Sequence, residues 1–408
     1  MGIKYFYGYN IVGAGFIMQG ICYGATFTYG LFFNEFQAEF GWSRALISGA
    51  SSLSFLLGGA LGVAAGRVND KIGPRALTVW TSILFGLGYL LLTWLQSLWQ
   101  LYLLYGLLVA VGFGALEVIT LSTVARWFVR RRGMMSGIVK VGTGSGQLVL
   151  PFFAATLIST YGWRNAYLIM GTLFIVVLVA VAQVMRRNPQ DMGLQPDNDT
   201  HRLSGEGCNP GDSDIFVKSP IKTKQFWAIN LAEFASFFCL LTVVVHIIPH
   251  SIDLGLTKKT AAGVISVVGG VSMLGRIVFG TAHDRIGGRF SLMVCFFVLF
   301  CSFLWLQVAT EVWMLFLFAL IYGFAHGGLF TVVSPTVAEL FGTSSHGVLF
   351  GIVLFSGNCA GAISPILAGR IFDVTGSYRS VFSILSVVAL IGLALVTQLK
   401  PIQSKVND

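Results

Sequence analysis

G66-R-V-N-D70-K71-I-G73-P-R75 returns 214 residues later as G280-T-A-H-D284-R285-I-G287-G-R289. Four of these positions keep their residue, Gly66 with Gly280, Asp70 with Asp284, Gly73 with Gly287 and Arg75 with Arg289, and a fifth keeps its positive charge, Lys71 with Arg285. The same offset of 214 pairs Gly133 with Gly347, Gly137 with Gly351, Pro151 with Pro365 and Gly162 with Gly376. Nine pairs in one register mark a tandem internal repeat, so each half of the chain is one copy of the same unit. Both copies run in the same sense, the arrangement of a parallel repeat.

Composition says which solvent that unit meets. The chain has 408 residues, 55% hydrophobic and 11% charged, with mean hydropathy +0.79. A water-soluble chain carries about 25% charged residues; at half that share, charge does not cover a water-facing surface, and the bilayer is the solvent for much of the chain. The net charge of +9 would point to nucleic acid in a soluble protein. Here the basic residues sit in short turns between apolar runs, so they read as topology signals and no nucleic-acid partner is expected. The six cysteines (Cys22, Cys208, Cys239, Cys295, Cys301, Cys359) have no metal-ligand spacing. They read as free thiols, five of them in apolar segments, and neither metal nor cofactor is expected. The first apolar run reads as a retained anchor rather than a cleaved signal.

A span needs about 20 apolar residues. Twelve stretches qualify: 10–33, 45–65, 77–95, 99–125, 134–159, 165–185, 224–250, 260–281, 291–309, 312–339, 347–372 and 379–399. With both termini cytoplasmic, the inner turns hold Arg67, Lys71, Arg75, Arg126, Arg130, Arg131, Arg132, Arg186, Arg187, Arg285 and Arg289, while the outer turns hold only Arg44, Arg164, Lys258, Lys259 and Arg379. That bias sets the orientation. Residues 188–222 are polar and rich in Pro, Gly and Asp, too poor in apolar side chains to fold alone. The expected fold is therefore an all-α membrane protein of twelve transmembrane helices in two six-helix pseudo-symmetric halves. Residues 1–187 form the first half, 188–222 a cytoplasmic linker, 223–400 the second half and 401–408 a cytoplasmic tail.

The doubled motif resembles the signature loop between helices two and three of the major facilitator superfamily, G-x-x-x-D-[RK]-x-G-x-[KR]. The resemblance spans the whole chain and implies transport by alternating access. In that setting Asp70 either takes helix N-terminal amides or pairs with a basic residue, latching the cytoplasmic side; the plainer alternative is turn chemistry with inner positive charge. W127-F-V-R130-R131-R132-G-M-M-S-G137-I-V-K-V-G142 is similar to the helix-five pattern of the proton-linked monocarboxylate transporters, with Met134–Met135 in place of Leu-Ala. Y322-G-F-A-H326-G and P365-I-L-A-G369-R370-I-F-D373-V-T-G376-S-Y378 resemble that family too. It implies a carboxylate such as lactate or pyruvate moving with a proton.

A charge inside a membrane costs at least ~2.5 kcal/mol and calls for a reason. The intramembrane set is short: Glu117, Lys140, Glu233, Arg276 and His326, with His246, His250 and Asp253 near an outer helix end. Arg276, among small neighbours in G269-G-V-S-M-L-G275-R276-I-V-F-G280, offers a planar fork matched to a carboxylate, and the family's substrate arginine lies there. The alternative is a snorkelling side chain at the cytoplasmic end. Two family positions depart: Ser272 stands for an aspartate and Phe27 for a helix-one lysine, both linked in the family to the proton. Glu117, Glu233 and Asp253 are the candidates to replace them. His326 and Tyr23 stand at family pocket positions; Asn358 either reaches the substrate or bonds between helices. Lys140 lines the path, pairs with Glu117 or snorkels. Phe27, Leu31, Leu148 and Phe330 read as apolar walls. G142-T-G144-S-G146 follows no strand, so it reads as a close-packing or bending site rather than a nucleotide loop.

The reading is a secondary active transporter, a proton-coupled symporter of a short monocarboxylate such as L-lactate or pyruvate. No nucleophile–base or metal constellation for an enzyme is present. A rival is an oxalate/formate-type carboxylate exchanger; another is a non-transporting carboxylate sensor. The short linker and the lack of glycosylation logic point to a bacterial inner (plasma) membrane, and the transporter is expected to be a monomer.

Overall fold

The computed structural model describes residues 6–198 and 219–399. Cys208, the tail 401–408 and the middle of the linker lie outside the described residues, as do the side chains of Arg44, Lys258 and Lys259. The described residues are helical, with no strand among them. Among the described residues, ten helices are long and apolar enough to cross a membrane. Two of these are too long for one crossing. Arg132–Ala182 has 51 residues, which is about 75 Å at 1.5 Å per residue, against a hydrocarbon layer of about 30 Å. It breaks at Gly162 (φ 77°, ψ 162°), and Lys258–Leu306 breaks in the same way at Gly287 (φ 81°, ψ 162°). Each break separates two spans, which brings the count to twelve.

In chain order these are α1 (Gly8–Phe40), α2 (Arg44–Ile72), α3 (Pro74–Leu91), α4 (Leu98–Trp127), α5 (132–161) and α6 (163–182). After the linker come α7 (Lys224–Asp253), α8 (258–286), α9 (288–306), α10 (Val312–Phe341), α11 (His346–Thr375) and α12 (Arg379–Thr397). The chain divides into two compact units. One is Met1–Asp214 with Thr343–Ile352; the other is Ile215–Gly342 with Val353–Asp408.

The repeat reaches down to single backbone angles. Gly73 between α2 and α3 has φ 94° and ψ 166°, close to the angles of Gly287 between α8 and α9, its partner at offset 214. This is a conformation open to glycine and strained for other residues. The pair Gly162 and Gly376 also share positive φ, 77° and 66°.

The helices run past the apolar stretches that announce them. Hydropathy ends the first span at 33, but α1 continues to Phe40; it ends the second at 65, but α2 continues to Ile72 through Arg67, Asp70 and Lys71. Backbone hydrogen bonds need no apolar side chains, so a helix continues into the polar zone until a glycine or a cap stops it. α1 stops at Gly41 (φ 66°). At the C-terminal end of α1, Glu39 accepts from Arg164 at 2.6 and 2.7 Å and from Trp163 at 2.8 Å, and the guanidinium holds its carboxyl below the ordinary value. α4 opens with π-helical turns over Tyr102–Val109, a wide winding that no hydropathy pattern announces.

Glycine decides which helices meet closely. A Cβ on Gly146 would lie 1.8 Å from the Gly20 carbonyl oxygen, and one on Gly142 would lie 2.2 Å from the Phe16 oxygen. The run Gly142–Gly146 is thus the contact face of α5 on α1, as small residues at membrane-helix interfaces allow. In the second unit α8 and α10 approach in the same way: a Cβ on Gly275 would lie 2.2 Å from the Phe324 oxygen, and one on Gly327 would lie 2.0 Å from the Ser272 oxygen.

Candidate functional site

In the first unit, the glycines that join α1 to α5 alternate with polar residues. Gly20 and Gly24 are preceded by Gln19 and Tyr23; Gly142 and Gly146 neighbour Lys140 and Thr143. Drawing the two backbones together therefore joins their polar side chains. Thr143 donates to the Gln19 amide oxygen at 3.2 Å, with both residues buried. The Lys140 ammonium lies 5.4 Å from the centre of the Tyr23 ring, within cation–π range. Lys140 also makes an ion pair with Glu117 of α4, each side chain 2% exposed. Tyr23 is half-buried and edge-on to Phe113 at 5.1 Å. Of the apolar wall residues, Phe27, Leu31 and Leu148 are exposed on their helices.

In the second unit Arg276 is 3% exposed. Its guanidinium carbon lies 5.9 Å from the Phe330 ring centre, and His326 stacks on the same ring at 5.2 Å and 18°. One phenyl ring of α10 thus carries both an arginine and a histidine. The close approach that permits this is Gly327, where a Cβ would meet the Ser272 oxygen and, at 2.9 Å, the Arg276 backbone nitrogen. The Ser272 hydroxyl donates to the Gly269 carbonyl at 2.7 Å. The Tyr322 hydroxyl donates to the Leu240 carbonyl at 3.3 Å. Its one proton being committed there, the contact of His326 Nδ1 with that hydroxyl at 3.5 Å makes Nδ1 the donor and leaves Nε2 as the acceptor. Glu233 on α7 and Asn358 on α11 are both buried, and the neighbouring Ser356 donates to the Asn230 carbonyl at 3.5 Å. Asp253, by contrast, is exposed at the end of α7, away from any enclosed position.

The doubled motif builds two similar corners. In the first, Asp70 pairs with Arg126 at the end of α4 and accepts from the Val348 amide at 3.3 Å, in the first turn of α11. A Cβ on Gly66 would lie 2.1 Å from the Gly347 oxygen, so only glycine lets that turn approach. Lys71 and Arg285 are exposed. Arg75 donates to the Gln183 side chain at 2.6 and 3.1 Å, and Arg289 donates to the Thr397 carbonyl at 2.7 Å. Each motif arginine thereby holds the end of the sixth helix of its repeat, where a cation opposes the helix dipole. Asp284 takes a different partner, lying 3.5 Å from His283, which in turn is 3.2 Å from Glu339. Changing Asp70 to asparagine keeps the shape but removes the charge facing Arg126 and the α11 amides. We expect transport to fall at least ~10-fold, about 1.4 kcal/mol, with protein yield little changed; counterflow in proteoliposomes measures it.

Three contacts escape a reading of sequence alone. His246 donates from Nε2 to the Pro365 carbonyl at 2.9 Å, so its Nδ1 accepts from the Tyr378 hydroxyl at 3.1 Å, tying α7 to α11. Burial pushes the Tyr378 phenol up, and the carboxylates Asp253 and Asp373 add to it. The other two are the His283–Glu339 pair and the Gln19–Thr143 bond. Pairings between distant helices leave no periodic trace in a single sequence.

The model of the Major Facilitator Superfamily matches residues 15–306 and 277–407. Monocarboxylate transporter 13 of Rattus norvegicus is 28% identical over 393 residues, covering 95% of this chain and 87% of its own. Monocarboxylate transporter 12 of Homo sapiens is 27% identical over 413 residues, with 92% and 77% covered. Among solved structures, the E. coli fucose:proton symporter superposes with a TM-score of 0.71 at 14% identity, covering 95% of this chain and 97% of that one. A human organic anion transporter gives 0.73 at 14% identity, with 95% and 99% covered. At such identities the structures speak for the fold.

Proposed function

We propose, from the premise that this chain belongs to the Major Facilitator Superfamily and is a transporter related to the monocarboxylate transporters, not an enzyme, that it carries a short monocarboxylate such as L-lactate or pyruvate together with a proton. The halves 1–187 and 223–400 alternate in access, and motif residues Gly66, Asp70, Lys71, Arg75, Asp284, Arg285 and Arg289 form the cytoplasmic latch.

The observation that carries this reading is Arg276, a permanently charged fork buried on Phe330 beside His326. A guanidinium held at such a depth favours an anion with two coplanar oxygens. Charge accounting favours one carboxylate over two. The second deep cation, Lys140, has its ammonium on Glu117, a contact that occupies it in place of a second carboxylate group. A proton travelling with the monoanion makes the cycle electroneutral. Within the unit that holds Arg276, His326 and Asn358 are the proposed polar contacts of the carboxylate and Phe330 an apolar wall; Tyr23 and Phe27 are the substrate-binding residues proposed in the first unit. The bias of Lys and Arg toward one set of turns supports cytoplasmic termini, the short linker supports a bacterial plasma membrane, and the transporter is proposed to act as a monomer.

The test is labelled L-lactate uptake into proteoliposomes with and without an inward proton gradient. Saturable uptake stimulated by the gradient is expected, and excess oxalate should leave it within twofold of the control. Displacement of lactate by oxalate at equal concentration would favour a dicarboxylate exchanger instead. Flux that neither saturates nor shows counterflow would indicate a channel.

A further inference from the structure

We propose that the coupled proton is loaded in the first half of the molecule, on Glu117 against Lys140. This rests on the symport reading above and assigns its proton to one carboxylate.

The geometry carries the assignment. Glu117 and Lys140 are each 2% exposed, and a buried ion pair is weak evidence of stability, since apolar side chains of similar volume serve as well or better. A pair kept at this depth calls for another use. Lys140 approaches one carboxylate oxygen, Oε1, and the other, Oε2, is buried with no hydrogen-bond donor. A buried acceptor without a donor is costly. A proton placed on Oε2 supplies what is missing and leaves the contact of Oε1 with the ammonium intact.

The charges balance. With Glu117 ionised the pair is neutral. A proton arriving from water forms an O–H bond at Oε2 and takes the pair to +1. A monocarboxylate at −1 returns the loaded carrier to the net charge of the empty one, and release of both restores the starting pair. No covalent bond of the substrate changes.

On the neighbouring helices α1, α2 and α3 the charged residues of the described segments stand toward the helix ends. On α1 the titratable groups facing the pair are the Cys22 thiol, which lies within electrostatic reach of Glu117, and the Tyr23 ring over which Lys140 sits. Among the charged residues of α2 and α3, Arg44, Arg67, Asp70, Lys71 and Arg75 all stand at helix ends. Tyr89 of α3 is buried. Asp253 is exposed, and a carboxylate open to bulk water exchanges its proton freely, which gives no obligatory coupling. Glu233, also buried, is the rival.

The experiment compares wild type, Glu117→Gln, Glu233→Gln and the double variant Glu117→Leu/Lys140→Met in proteoliposomes. Glutamine mimics the protonated acid and binds no proton. The double variant removes both charges together, so it keeps the test open if glutamine beside a lone lysine fails to fold. Three quantities are read: accumulation of labelled L-lactate under a proton gradient, proton movement on adding lactate with a pH dye, and counterflow at equal pH. For Glu117→Gln and for the double variant, stimulation by the gradient should fall to about one-fold and the dye signal should vanish, while counterflow survives in part. Glu233→Gln should keep its dye signal. Retained gradient-driven accumulation in Glu117→Gln, or loss of the dye signal in Glu233→Gln with coupling intact in Glu117→Gln, overturns the assignment while the symport reading stands. Wild type that moves lactate without any proton signal overturns both.

Discussion

Uptake of L-lactate by the Arg276→Ala variant is expected to fall at least ~100-fold in kcat/KM, and Arg276→Lys should restore less than about a tenth of the wild-type rate. Removing one member of a buried, hydrogen-bonded charge pair costs about 2–5 kcal/mol, and ~1.4 kcal/mol is a factor of ten, so two orders of magnitude lie near the low end of that range. The side chain is 3% exposed, which keeps solvent screening from diluting the effect. Lysine keeps the charge but loses the planar pair of parallel donors. It also loses the flat face that rests 5.9 Å from the Phe330 centre. Uptake is measured over a range of lactate concentrations, beside the protein's elution as a single species. A variant with alanine at 276 that transports within threefold of wild type would place the carboxylate anchor elsewhere. A well-folded inactive alanine variant with a fully active lysine variant would mean that charge alone, and not the fork, holds the anion.

Most of the architecture was legible because membrane spans write themselves in composition. Twelve apolar stretches announce twelve crossings, and the repeat at offset 214 shows why there are two sets of six. The two fused helices do not disturb this, because the glycines that break them, Gly162 and Gly287, are members of the repeat. The helix ends were less legible. Hydropathy reports where the lipid stops, while hydrogen bonding decides where the helix stops, and α2 carries three charged residues in its last two turns.

The candidate residues are legible in the sequence one by one, while their pairings are not. A charged side chain inside an apolar run is conspicuous, so Arg276, Lys140, Glu117 and Glu233 stand out at once. For Lys140 three roles remained open from sequence, and only the approach of α4 to α5 selects the pairing with Glu117. The stacking of His326 and Arg276 on one ring depends on Gly327 as much as on Phe330, and the role of that glycine is visible only when the facing backbone of α8 is in view. His246 illustrates the opposite case. Sequence marks it only as a histidine near a helix end, and its partners are a proline carbonyl and a tyrosine more than a hundred residues away.

Even one methyl group at position 146 is expected to disrupt the first half. The Cβ of Gly146→Ala would lie 1.8 Å from the Gly20 carbonyl oxygen, 2.5 Å from its carbon and 2.7 Å from its Cα. All three atoms are backbone, so no side-chain rotation relieves the clash and α1 must move away from α5. The reciprocal face gives no room either, since a Cβ on Gly24 already would lie 2.5 Å from the Gly146 oxygen. Overpacking of this kind costs about 1–3 kcal/mol or more, and separating the helices also pulls Thr143 from Gln19 and Lys140 from Tyr23. Gly13→Ala on α1 is the matched control: its Cβ meets nothing within 4 Å, and alanine is favoured over glycine in a helix by about 1 kcal/mol. Thermal unfolding in detergent, followed by the fraction remaining monodisperse, should therefore move in opposite directions for the two variants. A Gly146→Ala protein as stable as Gly13→Ala would mean that α1 and α5 stand further apart than their glycines indicate, and the joining of polar groups along that seam would then need another cause.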